Sequence, residues 1–207
     1  MNMKKKLVTV CLVACMAVTA VAGGTLAYFT DTKTETNTFT VGDVEITLNE
    51  DNWDEENAKL VPHATIKKDP SVTLTSGSEN AWVFVELEIG EGLESMMEAT
   101  KPESANTLHQ KFEAWVKNGE LAGINANWKF VEEKDNKIVY RYTDAATAPK
   151  TTETLFDTVV VPDELESTDV ENATGDKNIV ITAKAIQAEG IETADKAFSE
   201  LFPEYAE

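Results

Sequence analysis

The sequence predicts a mainly β domain: an antiparallel, jelly-roll-like β-sandwich with short inserted helices. Three observations carry the prediction. Seven or more short runs alternate apolar and polar residues between turn signals. Only two segments carry a helical stripe. Both cysteines, Cys11 and Cys15, lie in an N-terminal apolar leader, so the remaining ~180 residues must fold without a disulfide, a length that suits one domain with a sizeable core.

In chain order, Val44, Ile46 and Leu48 alternate with Glu45 and Thr47 after a Gly42-Asp43 turn signal. Val72 and Leu74 alternate with threonines. Trp82 to Ile89 is the strongest strand: Val83, Val85, Leu87 and Ile89 form one face and Trp82, Phe84, Glu86 and Glu88 the other, so one end of it is expected to be covered on both sides. Leu108, Phe112, Trp115 and Val116 form one face of a helix that Gly119 ends. Trp128, Phe130 and Glu132 pair with Ile138, Tyr140 and Tyr142 across a hairpin loop at Glu133–Lys137. Leu155 to Val161 is an apolar strand stopped by Pro162. Ile179, Ile181, Ala183 and Ala185 alternate in a last strand that runs on to Ala188. Ala194, Ala197, Phe198 and Leu201 form a second helical stripe, with Thr193 as its N-cap and Pro203 beyond its end. The helices are expected as insertions lying against an edge or an end of the sandwich.

The first residues describe export. Lys4, Lys5 and Lys6 precede an apolar run from Leu7 to about Ala22, and Gly23-Gly24-Thr25-Leu26-Ala27 supplies a small-residue exit. Thr25 and Ala27 fit the shallow pockets of a signal peptidase, giving a mature chain that starts at Tyr28. Ala20 and Ala22 also fit, with a start at Gly23. Two other readings compete: a retained anchor, since Leu7 to Phe29 is long enough to span a bilayer, and a lipoprotein acylated at Cys15 within Leu12-Val13-Ala14-Cys15. The anchor lacks a basic stop-transfer cluster, and the residues after Cys15 stay apolar where a lipoprotein turns polar.

The chain carries 18 Lys and Arg against 37 Asp and Glu, a net charge of −19. Loss of the leader removes three lysines and no acid, taking it to −22. Such a charge repels nucleic acid and anionic membrane surfaces, so no nucleic-acid partner is expected, and membrane contact is expected only before the leader is cut. The acidic cluster Asp51, Asp54, Glu55 and Glu56 lacks the spacing and glycine of a calcium loop.

No catalytic constellation is visible. A zinc-protease helix needs two histidines four residues apart with a glutamate between them, and His109-Gln110-Lys111-Phe112-Glu113 supplies neither the second histidine nor that glutamate. His63 follows Pro62 in a loop. Gly77-Ser78 reads as a turn, and no Gly-x-Ser-x-Gly elbow is present. Gly90-Glu91-Gly92 is half of a nucleotide-binding loop with acid where phosphate would sit. No metal or cofactor is expected.

Three blocks resemble the TasA/camelysin family of Gram-positive bacteria. The first is Gly23-Gly24-Thr25-Leu26-Ala27-Tyr28-Phe29-Thr30-Asp31 with Asn37-Thr38-Phe39-Thr40-Val41-Gly42. The second runs from Val61-Pro62-His63-Ala64 through Lys67-Lys68-Asp69-Pro70 to Ser76-Gly77-Ser78-Glu79-Asn80-Ala81-Trp82-Val83. The third is Ile181-Thr182-Ala183-Lys184-Ala185-Ile186-Gln187-Ala188-Glu189-Gly190. The sequence departs from the family at His63-Ala64, where members often have Gly-Asp, and the turn there is expected to differ.

The resemblance implies a jelly roll, cleavage between Ala27 and Tyr28 by a dedicated signal peptidase, and a secreted subunit of biofilm matrix fibres. Its partners would be further copies of itself and a related minor fibre protein. The parts would be a signal peptide (1–27), an N-terminal donor strand (28–43) and the sandwich domain (44–207). The donor strand would add to a neighbouring subunit's sheet through Tyr28, Phe29, Thr30, Phe39 and Val41. The family also implies an alternative, a camelysin-like surface metalloendopeptidase; a non-polymerising secreted binding module is the third reading. The expectation from the residues themselves is that the protein is not an enzyme.

Overall fold

The computed structural model describes residues 44–205, apart from Glu55 and Asn57. The expected cleavage site at Ala27 and Tyr28, the donor-strand residues Phe29, Thr30, Phe39 and Val41, and Glu55 of the acidic cluster lie outside the described residues.

The described chain is mainly β, and all its ladders are antiparallel. Its strands are β1 (Ile46–Asn49), β2 (Thr65–Lys67), β3 (Ser71–Leu74), β4 (Ala81–Ile89), β5 (Val116–Asn118), β6 (Leu121–Ala122), β7 (Trp128–Lys134), β8 (Lys137–Tyr142), β9 (Lys150–Thr151), β10 (Thr158–Val160) and β11 (Ile179–Gln187). Four helices interleave: α1 (Glu91–Ala99), α2 (Leu108–Trp115), α3 (Ser167–Asn172) and α4 (Ala194–Leu201). The strands form three sheets, ordered β11-β4-β8-β7, β2-β10-β5-β6 and β1-β3-β9. β1 also runs close beside β11.

The four long strands make the main sheet. Alternation sends Val83, Val85, Leu87, Ile138, Tyr140, Ile181 and Ala183 into one core, which also takes residues from both smaller sheets and from α1 and α2. The opposite face is covered over part of its area, as expected for β4. Phe84, Val139 and Ile186 pack under Ala197, Leu201 and Phe202 in a second, smaller cluster. Phe84 meets Phe202 edge-on at 5.7 Å between ring centres, and Phe202 meets Tyr205 at 5.9 Å. α4 therefore lies across a sheet face, not at an edge or an end.

Other expectations need correcting. The helix expected to include Val116 and to end at Gly119 is shorter: α2 stops at Trp115, and Val116 is both its C-cap and the first residue of β5. The strand expected over Leu155–Val161 is ordered as strand only at Thr158–Val160. The β7–β8 hairpin closes over two residues, Asp135 and Asn136, with Asp135 at φ 54°, a tighter turn than Glu133–Lys137. A bulge at Val131 shifts the register between Phe130 and Glu132, so Glu133 lies opposite Ile138.

α1 was hidden by its own glycines. Leu93, Met96 and Met97 are its buried stripe. Gly90 and Gly92 allow the helix start to press on the 175–178 loop: Gly90 N donates to Asn178 O (3.0 Å), and Gly92 N to Asp176 O (2.9 Å). A β-carbon at Gly90 would stand 2.4 Å from Asp176 O. The pair serves close packing, and a carbonyl occupies the place where a phosphate would need to sit.

Candidate functional site

The two histidines are the first candidates for chemistry. His109 sits in the first turn of α2, facing β7. Its backbone N–H donates to Glu133 Oε2 at 2.8 Å, and its Nδ1 lies 3.0 Å from the same oxygen and 3.0 Å from Thr107 Oγ1. The imidazole stacks on Phe130, with ring centres 3.8 Å apart. One turn on, Glu113 is half-buried near the buried Tyr140. Burial pushes the Glu113 carboxyl up, against the pull of His109. Burial, followed by the Glu113 charge, holds the Tyr140 phenol well above its usual range. The group ties a helix end to an edge strand, and the carboxylate sits where the helix dipole favours a negative charge.

His63 is elsewhere and exposed (71%), with Nδ1 2.5 Å from Asp163 Oδ1. It occupies the turn where the family often has glycine, and its φ of 65° is left-handed. Ala64 N closes that turn on Val61 O at 3.0 Å. The backbone thus adopts the conformation a glycine takes easily, with a histidine in place.

A metal of the kind the camelysin resemblance implies would need three or more convergent donors. Each histidine meets one carboxylate. Among the described residues no group of three His, Cys, Asp or Glu is placed to hold an ion. The described donors therefore do not fit such a centre. Within the acidic segment Asp54 Oδ1 accepts from Glu56 N at 3.2 Å in a local turn, and Asn52 ties the segment to Asp69 through its N–H and its amide.

The second candidate is an edge. β11 is nine residues long, rich in Ile, Val and Ala, and carries Lys184 as its one charge. It ladders with β4 along its full length, from Ile179 opposite Ile89 to Gln187 opposite Ala81. Among the described strands it has no ladder partner on its other flank. The four-residue β1 lies close to β11 without laddering to it. Backbone groups on an unladdered flank are a template for a further strand. Pattern reasoning found β11 but missed its place at the edge, because strand order is set by contacts far apart in sequence.

Residues 2–78 match the camelysin metallo-endopeptidase family. The match covers 77 of 207 residues and takes in the leader, β1, β2 and β3, so the resemblance to the TasA/camelysin family holds over that stretch. β11 and the third resembling block lie beyond it. No curated protein and no solved structure matches the chain. Within the camelysin-type stretch stand His63 and the turns around Lys68 and Asp69, whereas His109 lies outside it. Among the described residues no helix is long and apolar enough to cross a membrane.

Proposed function

We propose that this protein is an exported structural subunit of extracellular matrix fibres, assembled by adding the N-terminal segment of one copy to the main sheet of the next. The observation that carries the reading is the long, weakly charged β11, which among the described strands ladders on one flank alone. A donor running from Tyr28 to about Thr40 is longer than the nine residues of edge, about 30 Å at the usual strand rise, and so can pair along the edge's full length. That segment is rich in threonine, free of Gly and Pro, and bears Phe29 and Phe39 as anchors. Strand addition supplies main-chain hydrogen bonds, and alternate side chains set the register.

On this reading the chain divides into a signal peptide (1–27), a donor (28–43) and a jelly-roll domain (44–207). A dedicated signal peptidase frees Tyr28, and the partners are other copies and a minor fibre protein of the same kind. The protein works at the cell surface or beyond it, without a cofactor. The test is N-terminal sequencing of the exported protein, followed by electron microscopy. Protein starting at Tyr28 forms fibres, and protein lacking residues 28–40 stays a folded monomer. Normal polymerisation of the truncated form would falsify the proposal.

The family's description supports a second reading, a surface metallo-endopeptidase. It requires stoichiometric zinc, casein cleavage lost on chelation, and loss of both in His63→Ala and His109→Ala variants. Metal-free protein that still cleaves, or metal-loaded protein that does not, sinks it.

A further inference from the structure

The least expected group in the fold is a buried charge pair. Lys68, in the link between β2 and β3, and Glu50, just after β1, both have fully buried side chains, with Lys68 Nζ 2.7 Å from Glu50 Oε1. The contact has the length of an ion pair without the direction of a well-formed hydrogen bond. The Trp53 ring covers the amine, its centre 4.5 Å from Nζ. Both backbones are fixed around the contact. Lys68 N donates to Asp157 O at 3.2 Å. Asn52 clamps Asp69 through two hydrogen bonds, at 3.0 and 2.6 Å.

We propose that Lys68 and Glu50 condense to an amide, an intramolecular cross-link between the two side chains. In the step, the ammonium passes a proton to the carboxylate across the contact, and Nζ attacks Cδ. The N–C bond forms, the C–O bond breaks, and the departing oxygen takes two protons away as water. One ammonium and one carboxylate become one amide and one water, so the atoms and charge balance without an oxidant, a nucleotide or any other co-reactant.

Two physical terms favour the step. Taking both ions out of water carries a penalty of several kcal/mol per ion, and the amide removes both charges from the interior. Holding the reacting groups in contact gives effective concentrations of about 10⁵ M or more, and the buried site excludes the bulk water that would drive hydrolysis. The product closes the chain from residue 50 to residue 68. It supplies a covalent tie in a domain whose sequence from residue 16 onward has no cysteine. A pull on the N-terminal side of β1 would then pass through the cross-link into the β2–β3 link, bypassing residues 51–67.

The inference does not depend on fibre assembly, because it is read on the monomer. Protein is kept folded, denatured, and weighed by intact-mass spectrometry, and its peptides are then sequenced by tandem mass spectrometry. The expected mass is one water below that of the chain, with a branched peptide joining Glu50 to Lys68. Glu50→Gln, which condenses by losing ammonia, reaches the same final mass as the cross-linked parent. Lys68→Met keeps the full mass. A parent protein at full mass, with residues 50 and 68 on separate peptides, overturns the proposal. So does a water loss that maps to any other pair. The parent measurement decides even if neither variant folds.

Discussion

Glu133 on β7 caps a helix to which it does not belong. Its Oε2 accepts from the backbone N–H of His109, the second residue of α2, at 2.8 Å and meets the same residue's Nδ1 at 3.0 Å. Gln110 serves neighbouring donors by accepting from Asn106 N at 2.9 Å and Thr107 N at 3.3 Å. A carboxylate here satisfies an N–H with no intrahelical partner and complements the helix dipole. Glu133→Ala should therefore destabilise the domain by about 1–2 kcal/mol, read as a lower denaturation midpoint at unchanged slope. Glu133→Gln should retain part of the loss-free behaviour, since its amide oxygen still accepts.

Residues 202–205, which follow α4 as a C-terminal strap, give an alkaline signature. Tyr205 donates to Glu86 Oε2 at 3.2 Å, and burial followed by the Glu86 charge pushes its phenol up. Tyr140 and Tyr142 are shifted the same way, in each case first by burial. A phenol that holds its proton more tightly in the folded state contributes stability that is complete below the unfolded value of about 10. That contribution is lost as pH rises from there through the folded value. Unfolding free energy should fall with pH above about 10, and Tyr205→Phe should make the fall shallower.

Packing beneath the strap is tested by Phe202→Ala. Phe202 is fully buried against Phe84 and under Lys184 Nζ, which lies 4.0 Å from its ring centre. The expected loss is about 3–5 kcal/mol, seen by calorimetry, with new dye binding as Phe84 and Ile186 become accessible.

Gly90→Ala is a small change with a large expected effect. The added carbon would meet Asp176 O and Asn178 Oδ1 at 2.4 and 2.6 Å, and the first of these is backbone. A loss of about 1–3 kcal/mol follows from overpacking, measured by urea unfolding. Gly119→Ala provides a contrast. It has open space but a left-handed φ of 58°, so its penalty is conformational alone.

For the β11 edge, Thr182→Lys and Val180→Lys place charges at half-exposed positions of the strand. Charged edges resist strand addition. The expectation is slower fibre growth by light scattering, with monomer stability changed by about 0.5 kcal/mol or less.

Strands β3, β4, β7, β8 and β11 were legible because each follows a two-residue period with one buried face. The α2 and α4 stripes were legible because their apolar residues recur at helical spacing. α1 was missed because Gly90 and Gly92 read as a loop, though Leu93, Met96 and Met97 already had helical spacing. The bulge at Val131 and the early end of α2 left no local signature, since both are set by pairing across the sheet. The candidate sites were less legible. Lys68 and Glu50 look like ordinary surface charges until the chain between them folds back, and nothing local marks β11 as an edge.

The pairing of β4 with β11 also sets an order of events. β4 is the inner strand that joins β8 to β11, and its longest ladder is with residues 179–187. About half the chain separates the two partners. As the polypeptide emerges from its N-terminal end, β4 waits half-paired until nearly everything else has appeared. Only then can the main sheet close and α4 fold over it. Such non-local topologies form slowly, so the chain stays open and threadable until its last segment is free.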